Sequence, residues 1–241
     1  MDRDRDLDWE GSWNVRDLGG LATRAGGRTR WNAIVRADNL GALTTRGWEQ
    51  ALEHGVRTVV DLRNPDEKAG DLGGRPGEIA TISVPLDVIE NREFWDELET
   101  SPSIATPLYY RSHIDRFASR SAEAITAIAD APEGAVAVHC MSGRDRTGQI
   151  TMLTLALAGV ADEEVVADYE RSIPRLNAKY SALAEEDQNA LVAGFLTDRE
   201  TTFAAIIAET LTAFDLEAHL GAAGLSAESV QRLRERLTQP A

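Results

Sequence analysis

Short apolar runs rich in Val and Ile punctuate the first half of the chain, at residues 56–62, 79–85 and 134–140, each bounded by Gly or Pro. Runs of that length are the pattern of buried strands in a parallel sheet. A further strand is expected at 33–36. Between these runs the apolar positions return at helical spacing. Residues 45–54 carry Trp48, Ala51 and Leu52 and stop at Gly55, a residue suited to the turn that ends a helix. Residues 114–130 bring Phe117, Ile125 and Ile128 to one side, while 148–160 are apolar nearly all round, which predicts a central buried helix. Beyond it, residues 162–171, 174–184, 201–220 and 227–237 read as helices, and the Gly-rich stretch 70–77 as a loop. Strands alternating with helices, followed by helices alone, predict an α/β fold. Its expected form is a central, mostly parallel sheet of about four strands flanked by helices, with a helical C-terminal portion.

With 241 residues and no repeat or linker to mark a boundary, a single domain over 1–241 is expected. Forty acidic against twenty-five basic residues leave a formal charge of −15, which argues against a nucleic-acid or anionic-membrane footprint. Any phosphate site in such a chain must be made locally positive by arginines, backbone N–H groups and a helix start. The opening Met1-Asp2-Arg3-Asp4-Arg5-Asp6 is charged and precedes no apolar stretch, so a cytoplasmic enzyme without stable membrane insertion is expected. One cysteine, Cys140, allows no internal disulfide and no multi-cysteine metal site. Neither a metal nor a cofactor is expected, and the oligomeric state is not legible.

The chemistry lies around that cysteine. Residues 136–139 read as a strand, 140–146 as a compact loop and 147 onward as a helix, so Cys140 sits in a strand–loop–helix unit ending on a helix N-terminus. Such units bind phosphate through loop N–H groups and the helix dipole. The backbone of Met141, Ser142, Gly143, Arg144 and Gly148 would line the site, and Arg146 could offer a guanidinium fork to two phosphate oxygens. Helix starts and nearby cations favour thiolates, and a thiolate is the nucleophile a phosphate ester requires. His139 would point to the opposite side of the strand and is read as an orienter of the loop, not a base. A buried cysteine at the end of a strand is ordinarily a small core residue; the surrounding string is what lifts Cys140 above that reading.

His139-Cys140-Met141-Ser142-Gly143-Arg144-Asp145-Arg146-Thr147-Gly148 resembles the HC-x-x-GK-x-R-T-G signature of protein-tyrosine and dual-specificity phosphatases, above all its bacterial HC-x-x-GKDRTG branch. Asn14-Val15-Arg16-Asp17-Leu18-Gly19-Gly20 is similar to that branch's NFRDLGG. Arg36-Ala37-Asp38-Asn39-Leu40 is similar to RS-x-x-L, Val59-Val60-Asp61-Leu62-Arg63 to a strand ending in DLR, and Ala167-Asp168-Tyr169-Glu170-Arg171-Ser172 to ADYLRS. The likeness is weakest over 91–107 and 185–200, stretches expected to shape the cleft. It departs at Arg144, where the branch has lysine, a position associated in the family with additional acidic groups of the substrate.

The resemblance implies a protein-tyrosine-phosphatase-like fold and a two-step reaction: attack by Cys140, a phosphocysteine intermediate, then hydrolysis. An aspartate should protonate the leaving oxygen. Asp87, just past the C-terminal end of a strand, is the first candidate, and Asp145 within the loop is its rival, with a structural role bonding the loop or Arg16 as the alternative. Thr147 is either a hydrogen-bond donor to the departing thiolate or a helix cap. Asn14, Arg16, Asp17, Asp61 and Arg63 are read as a polar lattice supporting the loop, and the five tryptophans as core or lid anchors. The expected function is a phosphoric monoester hydrolase of the tyrosine or dual-specificity kind, with a phosphoinositide or small metabolite as the alternative substrate. Its partner is thus a phosphorylated protein, lipid or small molecule. A rhodanese-type sulfurtransferase would lack the run from Gly143 to Gly148, and a non-catalytic phosphate-binding module would have no use for both Cys140 and Arg146.

Overall fold

A computed structural model describes residues 3–99 and 106–238. Five strands form one sheet: β1 (Arg16–Asp17), β2 (Ile34–Ala37), β3 (Val56–Asp61), β4 (Ala80–Ser83) and β5 (Ala135–His139), in the spatial order β1-β2-β5-β3-β4. β2, β5, β3 and β4 run parallel, whereas β1 joins β2 antiparallel with Arg16 opposite Arg36. The four expected strands are present. The fifth carried no hydrophobic signal, being two polar residues long.

Alternation along the strands divides the core in two. Ile34, Val60, Val136 and Val138 join the larger cluster, while Val35, Val59, Ala135 and Ala137 pack with Trp9, Leu43 and with Trp48 and Ala51 of α1 (Thr45–Glu53). The other helices are α2 (Arg92–Glu99), α3 (Tyr110–Arg116), α4 (Ala118–Ala129), α5 (Arg146–Leu157), α6 (Asp162–Glu170), α7 (Ser172–Leu183), α8 (Gln188–Thr197), α9 (Phe203–Thr212), α10 (Leu216–Ala222) and α11 (Ala227–Leu237). α5 is buried along almost its whole length, as its all-round apolar pattern predicts.

Three expectations need correction. The helix read over 114–130 begins earlier and breaks at Phe117 (φ −120°, ψ 37°) into α3 and α4, with the Phe117 ring against Phe94 and His113. The helix read over 201–220 divides before Asp215, whose carboxylate accepts from the Ala218 amide and so caps a separate helix, α10. β4, read as buried, is an edge strand with all four residues exposed; burial resumes only at Val84 and Leu86. Helices α2 and α8 fall in the stretches of weakest resemblance, of which residues 100–105 lie outside the described residues.

β5 comes late in the chain yet lies between β2 and β3. In open α/β sheets such a reversal of strand order opens a crevice at the C-terminal strand ends. For β5 that end is His139, and the next residue is Cys140.

Candidate active site

Leaving β5, the chain curls through residues 140–145 and enters α5 at Arg146, one residue before the start at 147 expected for the loop–helix unit. Successive loop carbonyls are tied to the surrounding frame. The Asn39 amide donates to Met141 O (3.1 Å), Asn14 Nδ2 to Ser142 O (3.0 Å), Arg36 Nη2 to Gly143 O (2.6 Å) and Tyr110 Oη to Arg144 O (3.4 Å). With the carbonyls engaged outward, loop N–H groups and the positive end of α5 are what the centre can offer to an anion. One glycine makes the curl possible and a second lets the start of α5 pack closely. Gly143 has φ +69°, and a Cβ there would stand 2.7 Å from Ala37 O; one on Gly148 would stand 2.8 Å from the Tyr169 ring.

Cys140 is 2% exposed at the base of this loop. Arg146 closes one side through a two-point pair with Glu67: Nη1 to Oε2 at 2.5 Å and Nη2 to Oε1 at 2.6 Å. Burial opposes the guanidinium charge, but Glu67, Cys140 and Asp87 together raise the Arg146 pKa. Glu67 is placed by a turn, Pro65–Lys68, in which its Oε2 also accepts the Asn64 amide at 2.8 Å. Sequence reasoning passed over Glu67, although Asn64-Pro65-Asp66-Glu67 has the capping-box spacing that fixes a glutamate in such a turn.

Asp87 lies beside Arg146, Oδ2 to Nη1 3.4 Å, with its side chain 17% exposed. Burial pushes its pKa up to about 6; Arg146 pulls the other way, and Glu67 and Asp145 add to the rise. A carboxyl poised there can hold a proton at mildly acid pH and give it up. Asp145 precedes the first residue of α5 and meets Tyr110 Oη at 3.3 Å and Arg144 Nε at 3.2 Å; its expected tie to Arg16 is absent, because Arg16 is engaged elsewhere. Thr147 is fully buried and its hydroxyl donates to Ala37 O at 3.4 Å, so it caps nothing, since the capping position belongs to Asp145.

Arg144, expected to meet acidic groups of the substrate, is instead folded into the protein. Its side chain is 5% exposed, with Nη1 donating to Asn189 Oδ1 of α8 at 2.8 Å and Nε to Asp145. His139 lies on the α1 side of the sheet, as strand alternation requires. Its Nε2 is 3.5 Å from Asp61 Oδ1, and burial lowers its pKa to about 4 despite Asp61, so the ring is neutral near pH 7. Asp61 in turn accepts from the Arg63 amide and Nε, each at 3.0 Å; burial alone would raise its pKa, but these bonds and His139 hold it down to about 2.

The supporting lattice has a hub that the sequence marked only as part of a motif. Asp168 on α6 is 1% exposed and accepts from Arg5 (2.7 Å), Arg16 (3.0 Å) and Arg36 (2.8 Å). Arg36 shares the face of Ile34, which points it toward α6, and its other Nη holds Gly143 O. Arg16 also donates to Asn14 Oδ1 at 2.8 Å and to Ser172 Oγ at 3.1 Å. Burial works against the Asp168 charge, yet three guanidiniums drive its pKa far below the carboxylate range. Asp17 is not part of this set; it accepts the Gly19 and Asn32 amides and faces His54. Among the described residues no group of three or more His, Cys, Asp or Glu could hold a metal ion.

Residues 7–239 match the model of the tyrosine phosphatase family. The chain is 30% identical over 185 residues to a protein of Cupriavidus necator that bears a tyrosine-protein phosphatase name, covering 74% of this chain and 67% of that one. It is 28% identical over 221 residues to the tyrosine-protein phosphatase of Nostoc commune, covering 86% and 75%. To the triple specificity protein phosphatase PtpB of Mycobacterium tuberculosis it is 28% identical over 210 residues, covering 73% of each.

Proposed function

Since the chain belongs to the tyrosine phosphatase family, we propose that it hydrolyses aryl phosphate monoesters of the phosphotyrosine kind, with Cys140 as nucleophile, Arg146 as phosphate clamp and Asp87 as general acid. The observation that carries the reading is the anchored loop between β5 and α5, with Cys140 at its base and Arg146 held over it by Glu67. Cys140 attacks phosphorus, the leaving oxygen takes the Asp87 proton, and water then cleaves the phosphocysteine with Asp87 acting as base. Arg146, its outer N–H groups engaged by Glu67, presents a fixed fork that matches the equatorial oxygens of the transferring phosphoryl group. Phosphorylated protein is favoured over phosphoinositide because Arg144, the cation that would meet further phosphates, is committed to Asn189 and Asp145.

Cys140→Ser should abolish turnover of a phosphotyrosine peptide while retaining vanadate binding, and should trap phosphoproteins from extract. Arg146→Lys should lower kcat at least a hundredfold, about 2.7 kcal/mol in the transition state. Turnover by Cys140→Ser within tenfold of wild type, or hydrolysis of phosphoinositides in preference to the peptide, would refute the corresponding half of the proposal.

A further inference from the structure

His113, on α3, is fully buried and lies outside the short motifs on which the sequence resemblance rests. Its ring is enclosed edge-on by Phe94, Tyr109 and Phe117 and tilted against Trp95, the ordinary surroundings of a core aromatic. Its nitrogens are not ordinary. Gln149, buried on α5, donates from Nε2 to His113 Nδ1 at 3.1 Å and to Ser121 Oγ at 3.4 Å. An Nδ1 that accepts leaves the proton of a neutral imidazole on Nε2. That Nε2 makes no well-formed hydrogen bond, the Leu86 carbonyl exerting only the least of the pulls on the ring, and 3.7 Å away lies Asp87 Oδ1, also buried and without a partner. Two unpaired polar atoms facing each other inside a protein are a costly arrangement unless a working state brings them together. Catalytic contacts of this kind are commonly loose before the substrate complex forms.

We propose that His113, fixed as the Nε2–H tautomer by Gln149, is a positioning residue that orients Asp87 for proton donation. This rests on the reading of Asp87 as the general acid. A donor aimed at Oδ1 makes that oxygen an acceptor, so the proton of the neutral carboxyl resides on Oδ2, the oxygen beside Arg146 and therefore beside a bound phosphate. As the Cys140 sulfur bonds to phosphorus, the bond from phosphorus to the leaving oxygen breaks; its electron pair stays on that oxygen, which takes the Oδ2 proton. The carboxylate left behind strengthens its bond to His113 Nε2–H. The ring can serve only as a neutral donor, because burial and the Arg146 charge push its pKa down to about 3, against a small opposing pull from the Leu86 carbonyl. The charged groups that bear on Asp87 from neighbouring elements are Arg146, Glu67 and Asp145, and none of them supplies a donor to Oδ1.

The test compares a phosphotyrosine peptide, whose leaving group needs a proton, with nitrophenyl phosphate, whose leaving group largely does not. His113→Phe keeps a ring that the aromatic enclosure accepts. It should lower kcat on the peptide tenfold or more with KM within about twofold, lose much less on nitrophenyl phosphate, and move the alkaline limb of the pH profile up by half a unit or more. His113→Gln, whose Nε2 reaches about as far as the imidazole Nε2, should restore much of both. Equal losses on the two substrates, an unmoved limb, or Gln no better than Phe would overturn the role of His113. Asp87→Asn is the control on the underlying reading: if it slows both substrates alike, Asp87 is not the acid and that reading fails, whatever His113 does. Should the His113 variants not fold, nitrogen NMR of the wild-type enzyme decides the matter. A neutral Nε2–H ring from pH 5 to 8 is expected, and an Nδ1–H tautomer or a titration in that range would refute the proposal.

Discussion

Asp87, the proposed acid, is a side chain whose burial costs the fold at neutral pH. Its pKa lies at about 6 in the folded protein against 3.8 in an open chain, mainly through burial. Between those two values the native state binds the extra proton, so this group's contribution to stability falls as pH rises through the window and is least favourable above it. The gap is worth roughly 3 kcal/mol. Asp87→Asn, which cannot ionise, should therefore be more stable than wild type at pH 7 to 8 by up to about that amount, with the advantage vanishing below about pH 4. Denaturant titrations of both proteins at the two pH extremes would measure it. An Asn variant that is no more stable at pH 7.5 would mean that Arg146, 3.4 Å away, already compensates the carboxylate in full.

Among the elements, α8 is tied to the phosphate loop by one buried amide. Asn189 accepts from Arg144 and donates to Ile173 O at 3.1 Å and Asn177 Oδ1 at 2.7 Å, joining the loop, α7 and α8. Asn189→Ala should leave several buried groups without partners, at about 1–3 kcal/mol each, and should raise hydrogen exchange in α8 before it does so in α5. Unchanged protection of α8 would show that Val192 and Leu196 hold the helix by packing alone. The same element marks the limit of what the sequence disclosed. β5, the loop and α5 were legible because each is written in contiguous residues: an apolar run, His139 to Gly148, then an apolar helix. Glu67, Asp168 and His113 were not assigned, since each acquires its meaning from a residue many positions away, Arg146, Arg16 or Asp87. The break at Phe117 and the exposure of β4 escaped for a related reason. Both depend on what lies beside a segment in space, which a periodic pattern does not record.

For the molecule as a whole, a net charge of −15 coexists with an interior rich in guanidinium groups. Arg16, Arg36 and Arg63 are among the largest fully buried side chains, and each is matched by a carboxylate. The negative field is thus a property of the surface, and the loop of Cys140 lies inside a locally balanced frame. That frame also orders events in time. The Asp168 hub draws on Arg5, Arg16 and Arg36 from the beginning of the chain and on a helix that follows the loop of Cys140. Contacts of such sequence separation form late, after local helices and the apolar sheet have condensed. A chain diluted from denaturant should therefore recover its helical circular dichroism first and its ability to bind vanadate afterwards. The gap should widen in Asp168→Asn, so that competence to bind phosphate becomes a clock for the last step of folding. Coincident recovery of the two signals would place the hub in the folding nucleus instead.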